Sequence, residues 1–127
     1  MPKLGTKIQV IDIRRTLIRF STMKFQVILQ WPAHSLDDYD EMVGVEELLI
    51  AKLTAESDVD GHDFGAGGTN IFVATDDPRR AFEEIKSILS GHSSWPDARI
   101  AYRHMDGTAY HALWSEGATT FNARNPT

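Results

Sequence analysis

Between Met23 and Trp114 the hydrophobic period of the chain switches from two to about 3.6 and back, twice over, and this alternation limits the fold more than any other feature. The first period-two segment sets Phe25, Val27, Leu29 and Trp31 against Lys24, Gln26, Ile28 and Gln30, and Pro32 closes it. It predicts a strand with one strongly apolar face. Helical spacing follows, with Tyr39, Met42, Val43, Leu49, Ile50 and Leu53 recurring as far as about Thr54. Ser35 and Asp38 resemble a capping box opening its acidic first turn. Residues 58–65 and 69–75 then read as two strands joined through Gly65-Ala66-Gly67-Gly68. The second is apolar without a break from Ile71 to Ala74, as a central strand would be.

Asp77-Pro78 predicts a helix start, with Asp as the cap and Pro at the first helical position. Ala81, Phe82, Ile85, Ile88 and Leu89 form its apolar side, and Gly91 is the expected stop. Beyond Trp95-Pro96, residues 98–105 and 108–114 flank Asp106-Gly107, a strong two-residue hairpin signal. That turn sets Tyr102 opposite His111 and Arg103 opposite Tyr110.

The order strand, helix, strand, strand, helix, strand, strand is the split βαβ arrangement of ferredoxin-like α+β domains with one extra C-terminal strand. It implies an antiparallel sheet with both helices on one face. The opposite face is expected to be open and to be covered by a second subunit, as in a homodimer, or by a ligand. A chain of 127 residues can hold one such core without disulfides or a structural metal. The length excludes a kinase, a TIM barrel or a full dinucleotide-binding enzyme. The lack of cysteine excludes a disulfide framework, a Cys-ligated zinc, an iron–sulfur cluster and thiol catalysis. We read one domain over residues 23–115, with an aperiodic tail at 116–127 and an extension at 1–22. Met23 is the expected natural start, and the extension is either poorly ordered or an added strand.

Charge is unevenly distributed. Residues 1–22 hold five basic residues against Asp12, whereas the rest of the chain holds eight basic and seventeen acidic residues. An acidic body repels phosphate backbones, so nucleic acid is not an expected partner. A basic protein surface, a cation or a neutral small molecule suits it better. The apolar residues of 1–22 are interrupted by Asp12, Arg14, Arg15 and Arg19, which fits neither a membrane span nor a signal peptide.

The densest polar cluster is Asp58-Val59-Asp60-Gly61-His62-Asp63. A regular strand here would line up Asp58, Asp60, His62 and Phe64 on one face, expected to be the open one. His62 would then be a candidate acid or base, Asp60 would orient it, and Asp63 would lie nearby. The same groups could approach a divalent cation only with further ligands, so no metal or cofactor is assigned. Gly65 to Gly68 lead into a strand rather than a helix N-terminus and do not suit phosphate. On the terminal hairpin, Arg99, Arg103, Tyr110 and Trp114 are expected to share one face. Arg, Tyr and Trp are the usual anchors of protein interfaces, so these four are the candidate binding residues.

The stretch Asp60-Gly61-His62-Asp63-Phe64-Gly65, Asn70-Ile71-Phe72 and Thr75-Asp76-Asp77-Pro78, with the helix after it, resembles small uncharacterised bacterial proteins of ferredoxin-like architecture. The resemblance spans about Met23 to Trp114. It implies the fold and a cytosolic location and carries no activity. Two functional expectations result. One is an acidic protein-binding or regulatory domain, for example of immunity or inhibitor type. The other is a small dimeric enzyme or ligand-binding protein using His62 with Asp60 and Asp63.

Overall fold

The computed structural model describes residues 23–32, 39–54, 56–65 and 68–114. These form β1 (Phe25–Trp31), α1 (Tyr39–Lys52), β2 (Ser57–Gly65), β3 (Gly68–Thr75), α2 (Pro78–Leu89), a short 3-10 helix (Trp95–Asp97), β4 (Arg99–His104) and β5 (His111–Trp114). The protein is α+β, with five antiparallel strands in the order β2-β3-β1-β4-β5 and two helices. The Ser35–Asp38 pair, the 1–22 extension and the 116–127 tail lie outside the described residues.

β1 is central because both its faces are apolar at the middle. Its residues Val27, Leu29 and Trp31 stand opposite Val73, Ile71 and Thr69 of β3. On the other side Val27 and Leu29 pair with Tyr102 and Ile100 of β4. This row packs against Met42, Val45 and Leu49 of α1 and Ala81, Phe82, Ile85 and Leu89 of α2, so both helices lie on the same face. Burying each Leu, Ile or Val of this layer contributes about 1.5–3 kcal/mol. Trp31 is fully buried, and its indole N–H donates to the Ser94 carbonyl at 2.9 Å, which satisfies the polar end of the ring.

The helix ends follow the sequence signals where they are described. Asp77 Oδ1 accepts from the Arg80 amide at 3.1 Å and Pro78 takes the first helical position. Helix α2 ends at Leu89 with Ser90 as its C-cap, which leaves Gly91 directly past the end, where the stop was expected. The helices are tied together at the end of α1, where Glu84 accepts from the Thr54 amide at 3.1 Å and hydroxyl at 2.8 Å.

Two expectations change. The terminal hairpin keeps the Tyr102–His111 register, but its turn is not centred on Asp106-Gly107. The Gly107 amide donates to the His104 carbonyl at 3.0 Å, which centres the turn on Met105-Asp106 and leaves Gly107 at the last turn position, where glycine is also favoured. The Met105 amide is engaged by the Lys24 carbonyl at 2.8 Å, so β4 stays paired with β1 up to the turn. The second change concerns the face away from the helices. Ile28, Ala74 and Ala101 belong to it by register, yet they are 1%, 0% and 0% exposed. The midline of that face is buried rather than open.

Candidate functional site

The cluster at residues 58–63 does not form a regular strand edge. Where β3 advances one residue from Val73 to Phe72, β2 advances two, from Val59 to Gly61, and Asp60 is the extra residue of a β-bulge. Gly61 has φ +140°, a conformation that L side chains rarely adopt, and this explains the glycine inside the strand. The bulge resets the alternation. Asp58, Gly61 and Asp63 pair with Ala74, Phe72 and Asn70 on the face away from the helices. Val59, His62 and Phe64 pair with Val73, Ile71 and Thr69 on the helix face. Asp58, Asp60, His62 and Phe64 therefore do not share a face, and His62 is not on the face that was expected to be open.

On the helix side His62 meets α1. Its Nδ1 lies 3.1 Å from both carboxylate oxygens of Glu46. The Glu46 side chain is 13% exposed and that of His62 is 29% exposed, so the pair sits at the rim of the core. The Tyr39 ring stands edge-on to both His62 and Phe64, with centroids 5.8 Å apart in each case. Tyr39, Val43, Glu46 and Ile50 recur along the flank of α1 that borders β2, as their helical spacing requires. Tyr39, Ile50 and Phe64 remain exposed at 49%, 44% and 46%. The result is an apolar strip along the seam of α1 and the edge strand β2, with the Glu46–His62 pair within it. Partial burial at the bulge holds the Asp60 carboxyl above its ordinary range while the side chain stays at the surface.

Sequence reasoning named His62 but missed Glu46, Tyr39 and Phe64 as its neighbours. A histidine three residues after Val59 reads as facing the other way unless an intervening residue is extra. Gly61 is the one local signal of that extra residue. No group of three or more His, Asp and Glu side chains that could hold a metal occurs among the described residues.

The expected Arg and aromatic ribbon is divided. β4 advances one residue from Ile100 to Ala101 while β5 falls back two, from Trp114 to Ala112, so Leu113 is extra and Trp114 turns to the helix face. There it stacks on Trp95 at 5.1 Å, lies 6.3 Å from Phe82 and receives Lys86 Nζ at 5.2 Å. It is a packing residue. Arg99 and Arg103 pair with Gln30 and Gln26 on the other face. Arg103 Nη1 donates to the carbonyls of His104, Met105 and Gly107 at 2.9, 3.0 and 3.1 Å, which braces the turn. Tyr110 precedes β5 and is half-buried. The four residues are not brought together as one surface.

No helix among the described residues is long and apolar enough to cross a membrane. No protein-family model, curated protein or solved structure matches the chain.

Proposed function

We propose that the chain is an acidic protein-binding or regulatory domain, of the kind that inhibits or shields a basic partner, and that it meets the partner at the α1–β2 seam. The observation that carries this reading is that of the exposed large apolar side chains among the described residues, Tyr39 and Phe64 meet across that seam, while Ile50 falls on the same flank of α1 as Tyr39 by helical spacing. Among the described residues β2 is paired on one side only, and aromatic side chains beside such an edge supply a contact core and a hydrogen-bonding edge together. Glu46 on α1 and Asp60 at the bulge of β2, in a chain that is strongly acidic beyond residue 22, set the sign of the complementary charge. This reading moves the contact surface away from Arg99, Arg103, Tyr110 and Trp114. The fold we propose is the ferredoxin-like one, on the succession β1-α1-β2-β3-α2-β4 with β5 outside β4. The proposed compartment is the cytosol, as in the proteins the sequence resembles.

The test compares immobilised full-length protein with Tyr39→Ala/Phe64→Ala and with Arg103→Ala, each exposed to lysate of the source cells. The expected result is a basic protein retained by wild type and by Arg103→Ala, released by salt, and reduced at least tenfold on the double variant. Equal retention by all three proteins would sink the proposal.

A second reading, a small enzyme or small-ligand-binding protein, is supported by the Glu46–His62 pair. A carboxylate on one imidazole nitrogen fixes the ring for proton transfer at the other. In that reading His62 is the acid or base and Glu46, not Asp60, orients it. It requires turnover that disappears in His62→Gln, measured across hydrolysis and isomerisation substrates.

A further inference from the structure

Glu46 is short of hydrogen-bond donors. Its side chain is 13% exposed, yet the partner of its carboxylate among the described residues is the single Nδ1 of His62, 3.1 Å from each oxygen. A carboxylate has about four lone-pair sites and a neutral imidazole offers it one N–H, so the pair keeps a full negative charge that is largely withdrawn from water. Such a charge favours a cation that brings further donors. The surroundings restrict which cation that is. The Tyr39 ring is nearly perpendicular to its neighbours, at 71° to His62 and 85° to Phe64, with centroids 5.8 Å apart in both pairs. Tyr39 and Phe64 are about half exposed. Rings set at such angles beside a carboxylate turn the negative faces of their π systems to one exposed corner, an arrangement that holds organic cations.

We propose that this corner binds a guanidinium group, supplied by an arginine of the protein partner, which donates to Glu46 while its stem lies along Tyr39. The inference rests on the reading of the α1–β2 seam as the contact surface and names the side chain that anchors there. Tyr39 and Glu46 lie on the same flank of α1 and His62 meets both, so rings and carboxylate belong to one surface. Guanidinium suits that surface better than the ammonium of lysine. It is planar, so it stacks on a ring while its N–H groups point sideways to a carboxylate. It is also more weakly hydrated, so less is lost when it enters a strip that Ile50 and Phe64 make apolar. Anionic ligands are repelled by the same carboxylate. The acidic balance of the chain beyond residue 22 draws a basic partner in, and Glu46 selects one of its side chains.

The experiment is an NMR titration of the full chain with N-acetyl-arginine amide, with the neutral isostere N-acetyl-citrulline amide in parallel. The expected result is a saturable shift of the Tyr39, Glu46, His62 and Phe64 signals with the arginine probe. Binding should be at least about tenfold weaker with the citrulline probe, and equally so with the arginine probe on Glu46→Gln. Tyr39→Leu, a second variant that leaves the carboxylate in place, should weaken it several-fold. The Trp31 indole N–H, bonded to the Ser94 carbonyl in the core, reports that each variant is folded. Equal binding of the two probes, or undiminished binding by Glu46→Gln, would overturn the proposal. So would shifts that spread over the acidic surface without saturating. If the seam retains a basic partner while the arginine probe leaves these residues unmoved, this inference fails and the seam reading stands. Binding of the probe with no partner retained supports the site and removes only the seam reading.

Discussion

Glu46 holds His62 with both carboxylate oxygens at 3.1 Å from Nδ1, and this contact joins the helix α1 to the edge strand β2. Because both side chains are partly exposed, the pair is expected to contribute about 0.5–1 kcal/mol rather than the larger value of a buried ion pair. Urea denaturation of Glu46→Ala, His62→Ala and the double variant gives the coupling directly. A coupling indistinguishable from zero would mean that the pair orients the ring without stabilising the fold.

Asp60 gives a pH dependence of definite sign. Its folded carboxyl titrates above the ordinary 3.8, so between 3.8 and the raised value the folded chain binds more protons than the unfolded one. The stability linked to Asp60 is fully present below 3.8 and is lost as pH rises through the folded value. Asp60→Asn should therefore be more stable than wild type at pH 7, by no more than the ~0.5 kcal/mol usual at exposed positions. The advantage should vanish when melting curves are repeated below pH 3.8.

Trp114→Ala removes a ring stacked between the Trp95 and Phe82 side of the core and Lys86. The expected cost is about 2–3 kcal/mol, below the range for a fully buried tryptophan because Trp114 is only half-buried. Chemical denaturation followed by circular dichroism measures it. A loss under about 0.5 kcal/mol would return Trp114 to the surface, as a binding residue would require.

Gly61→Ala adds a methyl where there is open space but where φ is +140°. Its cost therefore measures backbone strain alone, about 1–2 kcal/mol. Gly44→Ala is the control, because Gly44 lies inside α1 with nothing within 4 Å of an added Cβ. It should be neutral or stabilising by about 0.5–1 kcal/mol.

The elements were legible wherever periodicity was uninterrupted. Val27, Leu29 and Trp31 alternate as a half-buried strand must, and Asp77-Pro78 caps α2 as expected. The functional surfaces were read less well for one physical reason. Alternation assigns faces by counting residues, and a bulge adds one to the count without changing composition. At Asp60 the following glycine marks the event, and at Leu113 no comparable signal exists, so counting alone puts both His62 and Trp114 on the wrong side. Glu46 and Tyr39 were out of reach because their partners lie on another element, and helical spacing says which flank they occupy but not which strand borders it.

The bulge also gives β2 an unequal tolerance to changes in length. Deleting Asp60 would join Val59 to Gly61 in step with Val73 and Phe72, leaving every other side chain of the strand on its present side. Deleting Asp63 instead would turn Phe64 away from Tyr39. Asp60 is a spare residue: a strand shortened there keeps His62 against Glu46 and frees position 61 to accept residues other than glycine.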